Sequence, residues 1–301
     1  KDIRKEHRAS EDEIEKPKTV APTNFLDHES YRIDDYSNSE STTLLRMKRA
    51  YGMLCLMRKS GEMGTCSPKT FDLLQRGIIK FRPLTYATDV PTHRITYAGL
   101  QDFFRFSFDD FMNLPNETQR NIIFRNYTLL SITDNLYRSV HHFPDDDTTM
   151  PTYTTTLSPD RLDDYLIDCP VGINKDEAAA EIIKNMTRNV IAMKAHFKRV
   201  QLTSEEFLAL LGLGLWNDHS ATDDDMAEIV RRNRSLIMAE LHKYYAAGGR
   251  ADYADRLGDV LCLLVNIEEA AAMQKEDENV YLLMNMFEDY FTIIDRTNWP
   301  R

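Results

Sequence analysis

DDFMNLPNETQRNIIFRNYTLLSITDNLYRSV, residues 109–140, decides what kind of fold this chain can adopt. Pro115 ends any helix before it, because the residue preceding a proline is pushed out of helical geometry. Asn116, with Gln119 three positions on, then reads as a capped helix start. From there to about Val140, apolar residues fall on nearly every side: Ile122, Ile123, Phe124, Tyr127, Leu129, Leu130, Ile132, Leu136 and Tyr137. A helix that is apolar all round must be covered on opposite faces. The fold therefore needs a middle layer, and an all-α class is expected.

Upstream, 97–114 is an aromatic-rich helix, and Pro83 and Pro91 mark a looping stretch before it. Leu44, Leu45, Met47, Tyr51, Leu54, Cys55 and Met57 have helical spacing from Ser41 to Lys59, with Gly61 and Gly64 as the stop. Residues 1–40 carry isolated apolar side chains among Lys, Glu, Asp and Ser, with Pro17 and Pro22, and read as a flexible linker. Downstream, the Pro144, Pro151 and Thr/Tyr run of 141–157 suggests one short β-hairpin. Helices follow at 176–200, 204–217, 223–246 and 251–277, the third opened by Thr222 and closed by Gly248. Over 282–294, Leu282, Leu283, Met286, Phe287, Tyr290, Phe291, Ile293 and Ile294 share half of a helical wheel, bordered by Asp289. Taken alone, such a segment is a terminal helix closing the core.

The 301 residues are 42% apolar and 28% charged, ordinary for a globular chain. Fourteen Phe, 14 Tyr and 13 Met against 11 Gly and 11 Pro favour helices. No apolar run is long enough to span a bilayer and no secretory leader is visible, so neither secretion nor a membrane span is expected. The chain begins at Lys1 without Met, so further domains are expected upstream. A net charge of −11 argues against direct contact with a nucleic-acid backbone.

Cys55, Cys66, Cys169 and Cys262 are scattered, with no metal-ligand spacing, and are expected as free thiols. His141 and His142 with Asp145, Asp146 and Asp147 form the one candidate metal cluster, but the loop lacks the glycine of a calcium-binding hand and reads as solvated. Gly212 and Gly214 follow acids rather than a strand and imply no nucleotide loop. No catalytic constellation emerges and no cofactor is expected in this segment.

The 109–140 run resembles the signature region of nuclear hormone receptor ligand-binding domains, and that of the retinoid X receptor through Phe111, Leu114, Pro115, Gln119, Leu130, Arg138 and Ser139. QLTSEEFLALLGLGLWN is similar to a later helix junction of the family through Leu202, Glu206, Leu210 and Asn217. RADYADRLGDVLCLL matches the start of its long penultimate helix, and Met286, Phe287, Glu288, Asp289, Tyr290 and Phe291 look like its C-terminal activation helix, with Asp at the usual Glu. The likeness spans about 44–294, and its divergent, Phe-rich style points to the expanded nematode branch.

The resemblance implies an all-α, three-layer antiparallel helical sandwich and a nuclear, ligand-regulated transcription factor domain, with a zinc-bearing DNA-reading module upstream. It implies a pocket among Phe103, Phe104, Phe108, Leu129, Ile132, Thr133, Cys262 and Val265, with Arg138 receiving a ligand carboxylate such as a fatty acid. Two alternatives stand beside this: the aromatic side chains fill the cavity themselves, leaving a ligandless dimerisation and coregulator scaffold, and Arg138 pairs with Asp134. A groove for coactivator or corepressor peptides would use Met286, Phe287, Asp289, Tyr290 and Phe291. The family's positive clamp falls here to Arg105 and Arg125, each one position from the matching sites Phe106 and Phe124. Tyr253, Leu257, Val260, Leu261 and Leu264 would form a homo- or heterodimer interface, or pack as core. Glu206 is expected to pair with a buried arginine, and Trp216 and Trp299 to act in packing.

Overall fold

The signature stretch forms one long helix, α5 (Asn116–His142), in a computed structural model that describes residues 26, 42–249 and 253–286. Around it lie α1 (Thr43–Met63), α2 (Pro68–Gln75), α3 (Tyr86–Ser107), α4 (Asp109–Asn113), α6 (Leu162–Tyr165), α7 (Lys175–Asn185), α8 (Ala192–Val200), α9 (Ser204–Leu215), α10 (Asp224–Ala247) and α11 (Tyr253–Leu283). Helices α5 and α9 pack on each other as a middle layer, α1 and α3 cover one side, and α8 and α11 cover the other. Helix α10 extends the middle layer against α9. The all-round apolar α5 is thus covered twice, as its sequence demands.

Close approach depends on missing side chains. A Cβ on Gly99 would lie 2.1 Å from the Met57 terminal methyl, and one on Gly214 would lie 2.4 Å from a Leu129 methyl. Gly214 therefore lets α9 lie against α5.

Several local expectations need correction. Pro91 lies inside α3. It removes an N–H near the helix start, and the next side-chain hydroxyl, Thr92, donates to the carbonyls of Thr88 and Asp89. Helix α1 runs past Gly61 to a C-cap at Gly64, and Asp223 rather than Thr222 caps α10. Asn116 makes no cap bond for α5; its side chain accepts from Arg105, while Gln119 donates to the carbonyls of Met112 and Leu114. The expected hairpin reduces to an antiparallel bridge between Thr149 and Leu157, and the two-stranded ladder is parallel, β1 (Arg82–Pro83) with β2 (Thr155–Thr156). Within the stretch read as linker, Leu26 is buried in the core and its N–H donates to the Tyr137 hydroxyl.

Helix α11 reaches Leu283, beyond 277. Asn285 then takes a left-handed conformation (φ 57°) and the Met286 N–H donates to the Tyr281 carbonyl, 2.8 Å away. This is a helix-terminating αL turn. Leu282 and Leu283 consequently belong to α11, and an activation helix could begin only after Met286; residues 287–301, Trp299 included, lie outside the described residues.

Candidate functional site

A buried ionic knot fixes one side of the body. Asp134 accepts from the Tyr51 hydroxyl at 2.6 Å and from Arg58 at 2.7 Å, with Arg138 3.9 Å away. Burial opposes ionisation of Asp134, but the arginines outweigh it and hold its pKa below the ordinary carboxylate value. Glu62 is fully buried and accepts from the backbone N–H groups of Tyr153 and Thr154 and from the hydroxyls of Thr152 and Thr154. The knot joins α1 and α5 to the 149–156 segment.

Arg138 belongs to this knot. It donates to the carbonyls of Thr152 and Tyr153, at 3.0 and 2.6 Å, and its guanidinium stacks 4.1 Å from the Tyr153 ring centre. The expectation that it awaits a ligand carboxylate is corrected: the side chain is buried against protein carbonyls.

The other expected ligand contacts are also dispersed. Phe103 and Phe104 pack at 4.7 Å, Phe104 meets Phe111 at 5.8 Å, and Phe108 meets Trp216 at 5.6 Å, so these rings fill their own space. Leu129 lies against Gly214, and the Thr133 hydroxyl donates to the Leu129 carbonyl. Cys262 and Val265 are exposed on the outer face of α11. Of the nine, Ile132 lines the cavity described next.

That cavity, of about 180 Å³, lies among the first turns of α3, the middle of α5, the α7–α8 junction and the last turns of α11. The junction is a π-helical stretch, Met186–Ile191, and such stretches recur at functional sites. Leu84, Ile132, Leu157, Ile182, Met186 and Val190 supply an apolar wall. The polar lining includes Asp89 and His93 from α3, Ser131 and Asn135 from α5, Asn185 at the end of α7, Asn189 within the π stretch, and Gln274, Asp277, Glu278 and Tyr281 from α11.

The electrostatics of this lining are uneven. Asp277 is matched by Arg188 and by the Asn189 side-chain amide. Asp89 Oδ2 accepts from the Tyr165 hydroxyl at 2.7 Å; burial first, then the Asp89 charge, pushes that phenol well above its ordinary pKa and keeps it a donor. Asp89 Oδ1 lies 3.2 Å from His93 Nε2 without the alignment of a hydrogen bond, and has no hydrogen-bond partner among the described residues. The same is true of Asn185 Oδ1, whose amide nitrogen donates to the Tyr281 hydroxyl at 2.6 Å. Burial pushes Glu278 up from 4.5 to about 7, against the opposing pull of Lys275 and His93. No Lys or Arg lines the cavity among the described residues.

Sequence reading missed this site because Pro91 made 83–96 look like loop. The signal was the Asp89–His93 spacing, one helical turn, which puts both side chains on one face. Asn185, Asn189, Asp277 and Tyr281 are brought together by the packing of α11 on the π stretch and carry no local signature.

Arg105 donates to Gln119 and Asn116 at the α4–α5 corner, and Arg125 donates to the His219 carbonyl. Phe106, between α3 neighbours, is 60% exposed. Met286 is fully buried with Leu84, Tyr165, Leu166, Ile182 and Met186, whereas Phe287, Asp289, Tyr290 and Phe291 lie outside the described residues. Along α11, Val260 and Leu264 are buried, Leu257 and Leu261 pack against the core, and Tyr253 is exposed. The stripe expected at a dimer interface therefore mostly faces inward, and Ala254, Gly258, Cys262 and Val265 occupy the outer face. Glu206 meets Arg256 in a two-pronged ion pair, with Nε 2.7 Å from Oε1. Among the described residues no group of three or more His, Cys, Asp or Glu is placed to hold a metal ion, and the Asp145–Thr148 loop is tied down by Lys194 and Lys198.

Comparison with known proteins bears on this arrangement. The sequence model of the ligand-binding domain of nuclear hormone receptor matches residues 102–284. A Caenorhabditis elegans protein named high zinc activated nuclear receptor protein is 21% identical over 271 residues, covering 85% of this chain. The chain spans 63% of that relative's length.

Proposed function

Because this chain belongs to the family of nuclear hormone receptor ligand-binding domains, we propose that it is the ligand-responsive part of a transcription regulator, acting in the nucleus with a DNA-reading, zinc-bearing module elsewhere in the protein. Occupancy of the 180 Å³ cavity would set the position of the segment after Asn285, and with it the recruitment of an amphipathic coactivator or corepressor helix. Dimerisation would use the outer face of α11.

One observation carries this reading. Leu84, Tyr165, Ile182 and Met186 both line the cavity and pack around Met286, the residue that leaves the αL turn. A ligand touching that shared wall, and α11 at Glu278 and Tyr281, contacts the base from which the C-terminal segment departs. A ligand shifts a two-state balance only by its differential affinity; moving it from 1:99 to 99:1 takes about 5.5 kcal/mol. Burial of two or three Leu-sized groups, at roughly 1.5 to 3 kcal/mol each, is of that size.

The test is a fluorescence titration with a leucine-rich coactivator peptide, with and without an extract of small molecules. Ligand-dependent affinity supports the switch, ligand-independent affinity supports the scaffold, and no affinity overturns both. Zinc, which appears in the relative's name, belongs in the same titration as a separate arm, since the described side chains present no three-residue metal cluster.

A further inference from the structure

Taking the cavity as the ligand site, as proposed above, we infer that its ligand is a small amphipathic molecule with a hydrogen-bond-donating, cationic head, an alkylammonium or arylalkylammonium rather than a carboxylate. Among the described residues the lining carries three carboxylates, Asp89, Asp277 and Glu278, against one imidazole, His93, and no Lys or Arg. Asp89 and Asn185, both on the lining, are only 8% and 7% exposed, and each has an oxygen without a hydrogen-bond partner among the described residues, that of Asp89 3.2 Å from His93 Nε2. Leaving such acceptors unmet is costly, on the order of 1–3 kcal/mol each. An ammonium group has three donors and no acceptor, which is the complement of this end. Glu278 lies on the same lining with no hydrogen bond to the described residues, and a cation beside it would favour its ionised form. Asp277 is already neutralised by Arg188 and adds little.

A carboxylate fits poorly. It would add a negative charge beside Asp89 and Glu278 with His93 but, among the described residues, no lining Lys or Arg to meet it, and Arg138 is held in the knot by Thr152 and Tyr153. Size narrows the class further. An apolar cavity of about 150 Å³ takes up benzene, so this space suits a molecule of roughly ten non-hydrogen atoms, with its hydrocarbon part against Ile132, Ile182, Met186 and Val190.

Calorimetry and thermal melts of the whole chain would use 2-phenylethylamine, 2-phenylethanol, 3-phenylpropanoate and zinc chloride, each alone. The amine is expected to bind at least tenfold more tightly than the acid, with the alcohol between them. Asp89→Asn and Glu278→Gln should each reduce that preference several-fold, and the two variants guard against one failing to fold. Equal or tighter acid binding, an amine preference that survives both substitutions, no binding by any of the organic probes, or binding of zinc alone would overturn the inference. Peptide affinity in the same samples separates this inference from the switch. Amine binding that leaves peptide affinity unchanged sinks the switch and spares the ligand class; peptide recruitment driven only by the acid does the reverse.

Discussion

The two ends of α3 were built for opposite purposes. From Leu100 to Phe108 its inward side chains meet other rings and leaves no room: Phe103, Phe104 and Phe108 are almost completely buried among Tyr51, Phe111 and Trp216. About fifteen residues earlier, or roughly 22 Å along the helix, Asp89 and His93 face a cavity with unmatched acceptors. The aromatic end is a packed body whose adjoining knot pairs the Asp134 and Glu62 carboxylates with arginines and hydrogen-bond donors. The acidic end keeps polar groups in reserve, beside a π-helical break and the close of α11. On the proposed function, the first end would supply stability and the second the response to a ligand.

The strongest challenge to this contrast is Glu62→Ala. It removes the acceptor for four donors and one of the two carboxylates beside Arg58, so a loss of about 3–5 kcal/mol is expected, as for breaking a buried ion pair. Urea unfolding would measure it, and a loss below about 1 kcal/mol would show that the knot does not hold the body. Tyr51→Phe deletes only the hydroxyl donating to Asp134, and about 1.5–3 kcal/mol should be lost in the same assay, with amine binding intact.

At the acidic end the sign reverses. The folded-state value of Glu278 is raised from 4.5 to about 7, so between those values the folded chain holds a proton that the unfolded chain has released. Stability therefore falls as pH rises through that window. The charged groups bearing on it are Lys275 and Asp277 on its own helix and His93 on α3. Glu278→Gln should melt higher than the parent at pH 8 and about level with it at pH 4, and amine binding to the parent should tighten from pH 6 to 8. A melting difference independent of pH would remove Glu278 from the account. The smallest effect is expected at Val265→Ser: with the side chain 53% exposed, stability should change by about 0.5 kcal/mol or less and cavity binding not at all.

Architecture was the legible part. The all-round apolar pattern of α5 required a covered middle layer, and ordered matches along 109–264 identified the family. Periodicity reports which side chains go inward, and that is why the body was readable. It does not report whether an inward side chain meets another or meets a void, so Phe103 and Phe104 looked like pocket walls. For Arg138 the alternative of a structural role beside Asp134 was legible, but its carbonyl partners at Thr152 and Tyr153 were not, because they lie in a segment whose fold no local pattern specifies. Pro91 hid the acidic end because a proline near a helix start looks the same in sequence as one in a loop. Asn185 and Tyr281 are 96 positions apart and meet only when α11 is docked.

Isoleucine methyl NMR during titration with 2-phenylethylamine would test the division most directly, because both ends carry probes. The account predicts shifts at Ile132 and Ile182, which line the cavity, with Ile122, Ile123 and Ile237 in the packed body unmoved. Shifts centred on the body isoleucines, or none at Ile132 and Ile182, would contradict it.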